Sequence, residues 1–226
     1  MSKTVVCKFW NESTMKETIK KSFHDNFEKN YSKYSEYFEF NLDVLCELNT
    51  LIFEINKCLI LELDRAAITL TNNLTERLLK ITLITNEVGI GSIPFEKWNE
   101  VFKGPNEKYS SISLGNSIEK CKKLELISQK EKDILFDIIR ELLRNGFAHA
   151  DSTKLLAKLP DETPMFQGDF TKPNEGMKEV KVNQKIIPFF QAMQMEEFAK
   201  HYSKEYFDFI FKLIFRIEKR LIEKHK

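Results

Sequence analysis

Apolar residues recur every three or four positions along most of this chain, the spacing that gathers them on one face of an α-helix. From about Ser13 the aromatic residues Phe23, Phe27, Tyr31, Tyr34 and Phe38 follow that rhythm and predict a helix with an aromatic stripe. The stripe either docks on the rest of the protein or stacks on nucleic-acid bases. Asn41 or Asp43 is placed to cap a second helix carrying Leu45, Leu48, Ile52, Ile55 and Leu59, running to Leu63 or further. Residues 64 to 85 continue the pattern through Ala67, Leu70, Leu74, Leu78, Ile81 and Ile84 without a helix breaker.

Between residues 86 and 113 the rhythm is broken by Gly89, Gly91, Pro94, Gly104 and Pro105. A short helix from Pro94 to Phe102 is expected there, with Trp98 turned inward. Ser113 then caps a helix bearing Leu114, Ile118 and Cys121. Ser128 and Glu131 form a capping box, in which a hydroxyl and a carboxylate satisfy free backbone amides, ahead of Ile134, Leu135, Ile138, Ile139, Leu142 and Leu143. Asn145-Gly146 ends this helix, since both residues tolerate the left-handed conformation in which helices commonly stop. Four of the six prolines fall between residues 160 and 190, which predicts an insertion of extended or hairpin pieces, a possible flap over a site. A last helix from about Ala192 buries Tyr206, Phe207, Ile210, Leu213, Ile214, Ile217 and Leu221. Its Lys212, Arg216, Lys219, Arg220 and Lys224, interleaved with Glu218 and Glu223, read as a solvated face. These elements make an all-α protein, an antiparallel helical bundle over residues 41–226 preceded by an N-terminal extension over residues 1–40.

Composition agrees with that class. Charged residues are 31% of the 226, with seven glycines, and nineteen phenylalanines supply core area. The net charge of +1 requires that any nucleic-acid contact come from a local patch. Cys7, Cys46, Cys58 and Cys121 are widely spaced, without a CxxC pair or a companion histidine, and read as reduced, mostly buried thiols of a cytoplasmic protein. No secretory leader or membrane span is legible. Gly89-Ile90-Gly91 lacks the preceding strand and the third glycine of a dinucleotide loop, and the GK[ST] of a P-loop, so both are rejected.

The chemistry that stands out is at residues 144–149. Arg144 lies at a helix end, and the break at Gly146 lets His149 turn back towards it, with Asn145 beside both. An imidazole titrates near neutral pH and a guanidinium forks onto phosphate oxygens, which suits a phosphodiester and needs no metal or cofactor.

The run Arg144-Asn145-Gly146-Phe147-Ala148-His149, at the end of an amphipathic helix, resembles the Arg-x4-His signature of the HEPN superfamily (higher eukaryotes and prokaryotes nucleotide-binding). The resemblance extends loosely over residues 41–150 and the last helix. It implies a small all-helical domain and, as in many members, a metal-independent endoribonuclease of toxin, phage-defence or RNA-processing systems. His149 would then abstract a ribose 2′-hydroxyl proton while Arg144 stabilises the phosphate. Two copies would pair their motifs across a two-fold axis, and a regulatory protein such as an antitoxin would restrain them. The resemblance also brings Asp64 and Glu76 into view, because an acidic side chain from this region often supports the motif. They are three turns apart, so one at most would reach it; each is otherwise a surface ion-pair partner, as Glu76 would be with Lys80. The other function class left open is a non-catalytic dimerisation or RNA- or protein-binding module on the same bundle. A transcriptional regulator fits poorly, for want of a short recognition helix.

Overall fold

Three stretches with unbroken leucine and isoleucine spacing become the framework of the protein: α2 (Asn49–Ile60), α3 (Asp64–Val88) and the last helix, α7 (Pro188–Lys224). The computed structural model describes residues 12–137, 139, 160–168, 171 and 176–226. The protein is all-α, with one two-stranded hairpin among the described residues. The other α-helices among the described residues are α1 (Glu12–Tyr34), α4 (Trp98–Tyr109), α5 (Leu114–Lys123) and α6 (Gln129–Asp133).

Helix α3 lies at the centre and packs on α2, α4, α5 and α7, its most extensive partner being α7. The reason is its pattern: Ala67, Ile68, Leu74, Leu78, Leu79, Ile81 and Leu83 are all buried, so apolar positions surround most of its circumference. From α7, Phe207, Ile210, Leu213, Ile214, Ile217 and Leu221 enter the same core, joined by Leu45, Leu48, Ile52, Ile55 and Leu59. Burying these side chains stabilises the fold by about 1.5–3 kcal/mol each. Tyr37 sits against Phe207 and Phe211 in edge-to-face geometry, with centroids 5.0 and 4.9 Å away, and closes the core beneath α1.

Several expected boundaries move, each for a physical reason. The second helix starts at Asn49 instead of directly after Asn41 or Asp43, behind a 3₁₀ turn at Cys46–Leu48. Asn41 and Asp43 hydrogen-bond to each other and do not cap it. The free amides of Val44 and Leu45 are taken by the buried carboxylate of Glu218 on α7, at 2.6 and 3.0 Å. The helix stops at Ile60, where Glu62 turns the chain with a φ of 56° and Asn26 and Asn30 of α1 donate to the carbonyls of Leu61 and Ile60. Helix α3 ends at Gly89, whose φ of 89° and ψ of 174° form a backbone conformation that essentially only glycine adopts.

The region expected to be irregular around residue 104 is helical. Helix α4 runs through Gly104 and Pro105, with Val101, Pro105 and Tyr109 turned inward at a spacing of four. That register directs Trp98 outward, contrary to expectation: it is 45% exposed, packs between Phe95 and Phe102, and donates its indole N–H to the Ile93 carbonyl. The Ser113 cap and the Ser128–Glu131 capping box form as the sequence implies. The insertion carries the expected hairpin, β1 (Glu162–Gln167) antiparallel to β2 (Lys178–Asn183). Gln184 pins its base, donating to the Pro160 carbonyl and accepting from Gln194 of α7.

Among the described residues no helix is long and apolar enough to cross a membrane. Of the cysteines, Cys46 is exposed, Cys58 half-buried and Cys121 buried, so the expectation of mostly buried thiols fails at Cys46; Cys7 lies outside the described residues. Burial pushes the Cys121 thiol up to about 12, which keeps it protonated and unreactive.

Candidate functional site

The helix that leads towards Arg144 is fixed at its start. Ser128 accepts from the Glu131 amide at 3.2 Å, and Glu131 accepts from the Ser128 amide at 2.7 Å. The Glu131 side chain, only 8% exposed, also receives Arg216 Nε at 2.6 Å and Arg220 Nη1 at 2.7 Å. Arg220 reaches on to the Leu126 carbonyl at 3.0 Å. One carboxylate therefore caps α6 and ties it to α7. Burial works against its charge, but the Arg220 guanidinium, the Ser128 amide and Arg216 outweigh that and hold its carboxyl down at about 2. Arg216 and Arg220, expected on a solvated face, are thus bound inward.

Beyond Asp133 the helix widens into π-type turns over residues 134–137. Such turns add a residue per turn and are often found at functional sites. Leu135 and Ile139 are buried, as the apolar spacing requires. Arg144, Asn145 and His149 lie outside the described residues, as do Leu142 and Leu143.

The two candidate supporting acids are described. Asp64, at the start of α3, accepts from Ser203 Oγ of α7 at 2.6 Å. Glu76 lies twelve residues further along α3, roughly 18 Å at the rise of an α-helix, so the two acids occupy separate places on the α3–α7 seam. Lys80, the expected ion-pair partner of Glu76, donates to the Ser110 carbonyl at 2.9 Å. Glu76 also lies near Tyr206, where its charge adds to the effect of burial in pushing that hydroxyl above the ordinary phenol range.

Between the two acids runs a buried polar patch that apolar periodicity alone did not reveal. Tyr206 OH donates to Asn72 Oδ1 at 2.9 Å and lies 3.0 Å from Thr75 Oγ1, which in turn donates to the Thr71 carbonyl at 2.8 Å. Asn72 Nδ2 is buried without a hydrogen-bond partner. The signal available in the sequence was the set Thr71, Asn72 and Thr75, polar residues at positions that the helical spacing turns inward. With its protonated phenol, its hydroxyls and its amide this patch can donate and accept hydrogen bonds. Among the described residues no group of three His, Cys, Asp or Glu side chains is placed to hold a metal ion.

Neither a family model, nor a curated protein, nor a solved structure matches the chain.

Proposed function

We propose that this chain is a HEPN-type, metal-independent endoribonuclease that cuts single-stranded or looped RNA. The observation that carries the reading is the Arg144-x4-His149 pattern, which follows a helix whose start is held by the Glu131 clamp within an all-helical protein. His149 acts as the base on the ribose 2′-hydroxyl, whose oxygen then attacks the adjacent phosphorus. Arg144 stabilises the negative charge that builds on the phosphate oxygens, and Asn145 hydrogen-bonds the ring or the phosphate. The 5′-oxygen leaves with a proton, which His149 of a second copy supplies when two motifs face each other. The products are a 2′,3′-cyclic phosphate and a 5′-hydroxyl. The π-type turns over residues 134–137, seven to ten positions before Arg144 in the sequence, support the reading because turns of this kind are often found at functional sites.

An activity of this kind fits a cytoplasmic toxin or phage-defence protein restrained by an antitoxin-like partner. The test is incubation of total transfer RNA and of an unstructured oligonucleotide with the native protein and with His149→Ala, both in EDTA. The reading expects cleavage by the native protein alone, and intact RNA with folded native protein would overturn it.

A non-catalytic HEPN-like dimerisation or binding module is the second reading. The observation favouring it is the exposed aromatic surface on α1, described next, together with a net charge of only +1.

A further inference from the structure

Among the described residues, helix α1 is held to the body through its C-terminal half. Asn26, Asn30 and Tyr34 face inward there, and Lys29 pairs with Glu62 at 2.6 Å. Residues 14–25 are exposed on every side of the helix, so this half projects past the α2–α3 turn. A helical segment of that length is marginal in water without a surface to pack on.

The projecting half is not uniformly polar. Met15, Ile19, Phe23, Phe27 and Tyr31 follow one another at intervals of four and are 37–47% exposed. Side chains four apart form a single ridge, and ridges of this class interdigitate with their own kind at crossing angles near 50°. The ridge leads directly into a groove of about 530 Å³, lined by Phe27, Tyr31, Phe53, Ile60 and Leu61 among others, with Lys57 as its one charged residue. A protruding ridge and an adjoining groove on the same chain are the two halves of a self-complementary, two-fold contact.

We propose that this ridge and groove form the contact between two copies of this chain, each projecting α1 lying across the other and placing Ile19 and Phe23 against the partner's groove. The area supports a stable pair. With about 200 Å² for a large apolar side chain, the five ridge residues and Phe53, at 49% exposed, present roughly 500 Å² of apolar surface. A standard interface buries about 800 Å² per partner, of which a little over half is apolar, so the exposed patch is of the required size. Charge does not oppose the pairing, because α1 carries five lysines against four acidic residues. The contact does not depend on the RNA chemistry and does not require two Arg144–His149 motifs to meet.

Sedimentation equilibrium of the full chain at tens of micromolar is the test, compared with Ile19→Arg, with Phe23→Glu/Phe27→Glu and with Phe102→Glu on the separate aromatic cluster of α4. Ile19 is 46% exposed on the projecting half, so its variant separates loss of the contact from loss of the fold, which circular dichroism checks in each case. The contact predicts a native dimer that is retained in Phe102→Glu and reduced to monomer in the two α1 variants, with no loss of helicity beyond the projecting half of α1. A native monomer, or a dimer that survives both α1 changes, would overturn it. So would a protein that dimerises only after residues 2–11 are removed, since the chain's own start would then be the occupant.

Discussion

Replacing Glu131 by glutamine removes one charge and almost no volume, at the point where α6 is joined to α7. In the native protein the carboxylate accepts one backbone amide and two arginines, and its carboxyl is held at about 2 against an ordinary 4.5. That difference corresponds to roughly 3 kcal/mol of folding stability at neutral pH. The sign follows from which state protonates first. As pH falls below 4.5 the unfolded chain takes up the proton while the folded one resists until about 2, so the contribution is complete above pH 5 and is lost through that interval. By pH 3 roughly 2 kcal/mol of it has gone. The two arginine side chains are 40% and 29% exposed and regain water when the charge is removed, so the variant folds. Urea unfolding of the native protein and Glu131→Gln at pH 7 and at pH 3 reads the effect. The expected gap is about 3 kcal/mol at pH 7, narrowing to about 1 kcal/mol at pH 3. Equal gaps at the two pH values would refute an ionised, clamped carboxylate as the source.

Two further substitutions probe the rest of the framework. Gly89→Ala forces a side chain into a backbone conformation that only glycine accepts readily, although the nearest atom, His225 Nδ1, is 3.9 Å from the new carbon; a loss of about 1–3 kcal/mol from strain alone is expected in chemical denaturation. Tyr206→Phe leaves the Asn72 amide buried with neither end paired and should cost about 1–3 kcal/mol, whereas an unchanged melting temperature would show that the hydroxyl contributes nothing.

What the sequence disclosed and what it hid divide by distance along the chain. The caps at Ser113 and at Ser128–Glu131 were legible because donor and acceptor lie within three residues of each other. The cores of α2, α3 and α7 were legible because periodicity is local. Glu218 was not, since the amides it caps are 173 and 174 residues away and its neighbours on α7 are those of a solvated face. The same holds for Arg216 and Arg220, whose carboxylate lies 85 and 89 residues earlier. Trp98 was misplaced because Gly104 and Pro105 suggested an ending where the helix continues, and the extra turns reset which face points inward. Of the candidate site, Asp64 accepts from Ser203 and Glu76 lies near Tyr206, while Arg144, Asn145 and His149 rest on their sequence pattern.

The most direct measurement for the proposed chemistry is end-group analysis of RNA incubated in EDTA with native protein, Arg144→Ala and His149→Ala. The account predicts fragments ending in 2′,3′-cyclic phosphate and 5′-hydroxyl from the native protein, and none from either variant although both remain folded. Fragments that persist in His149→Ala, or that carry 5′-phosphate ends, would contradict it.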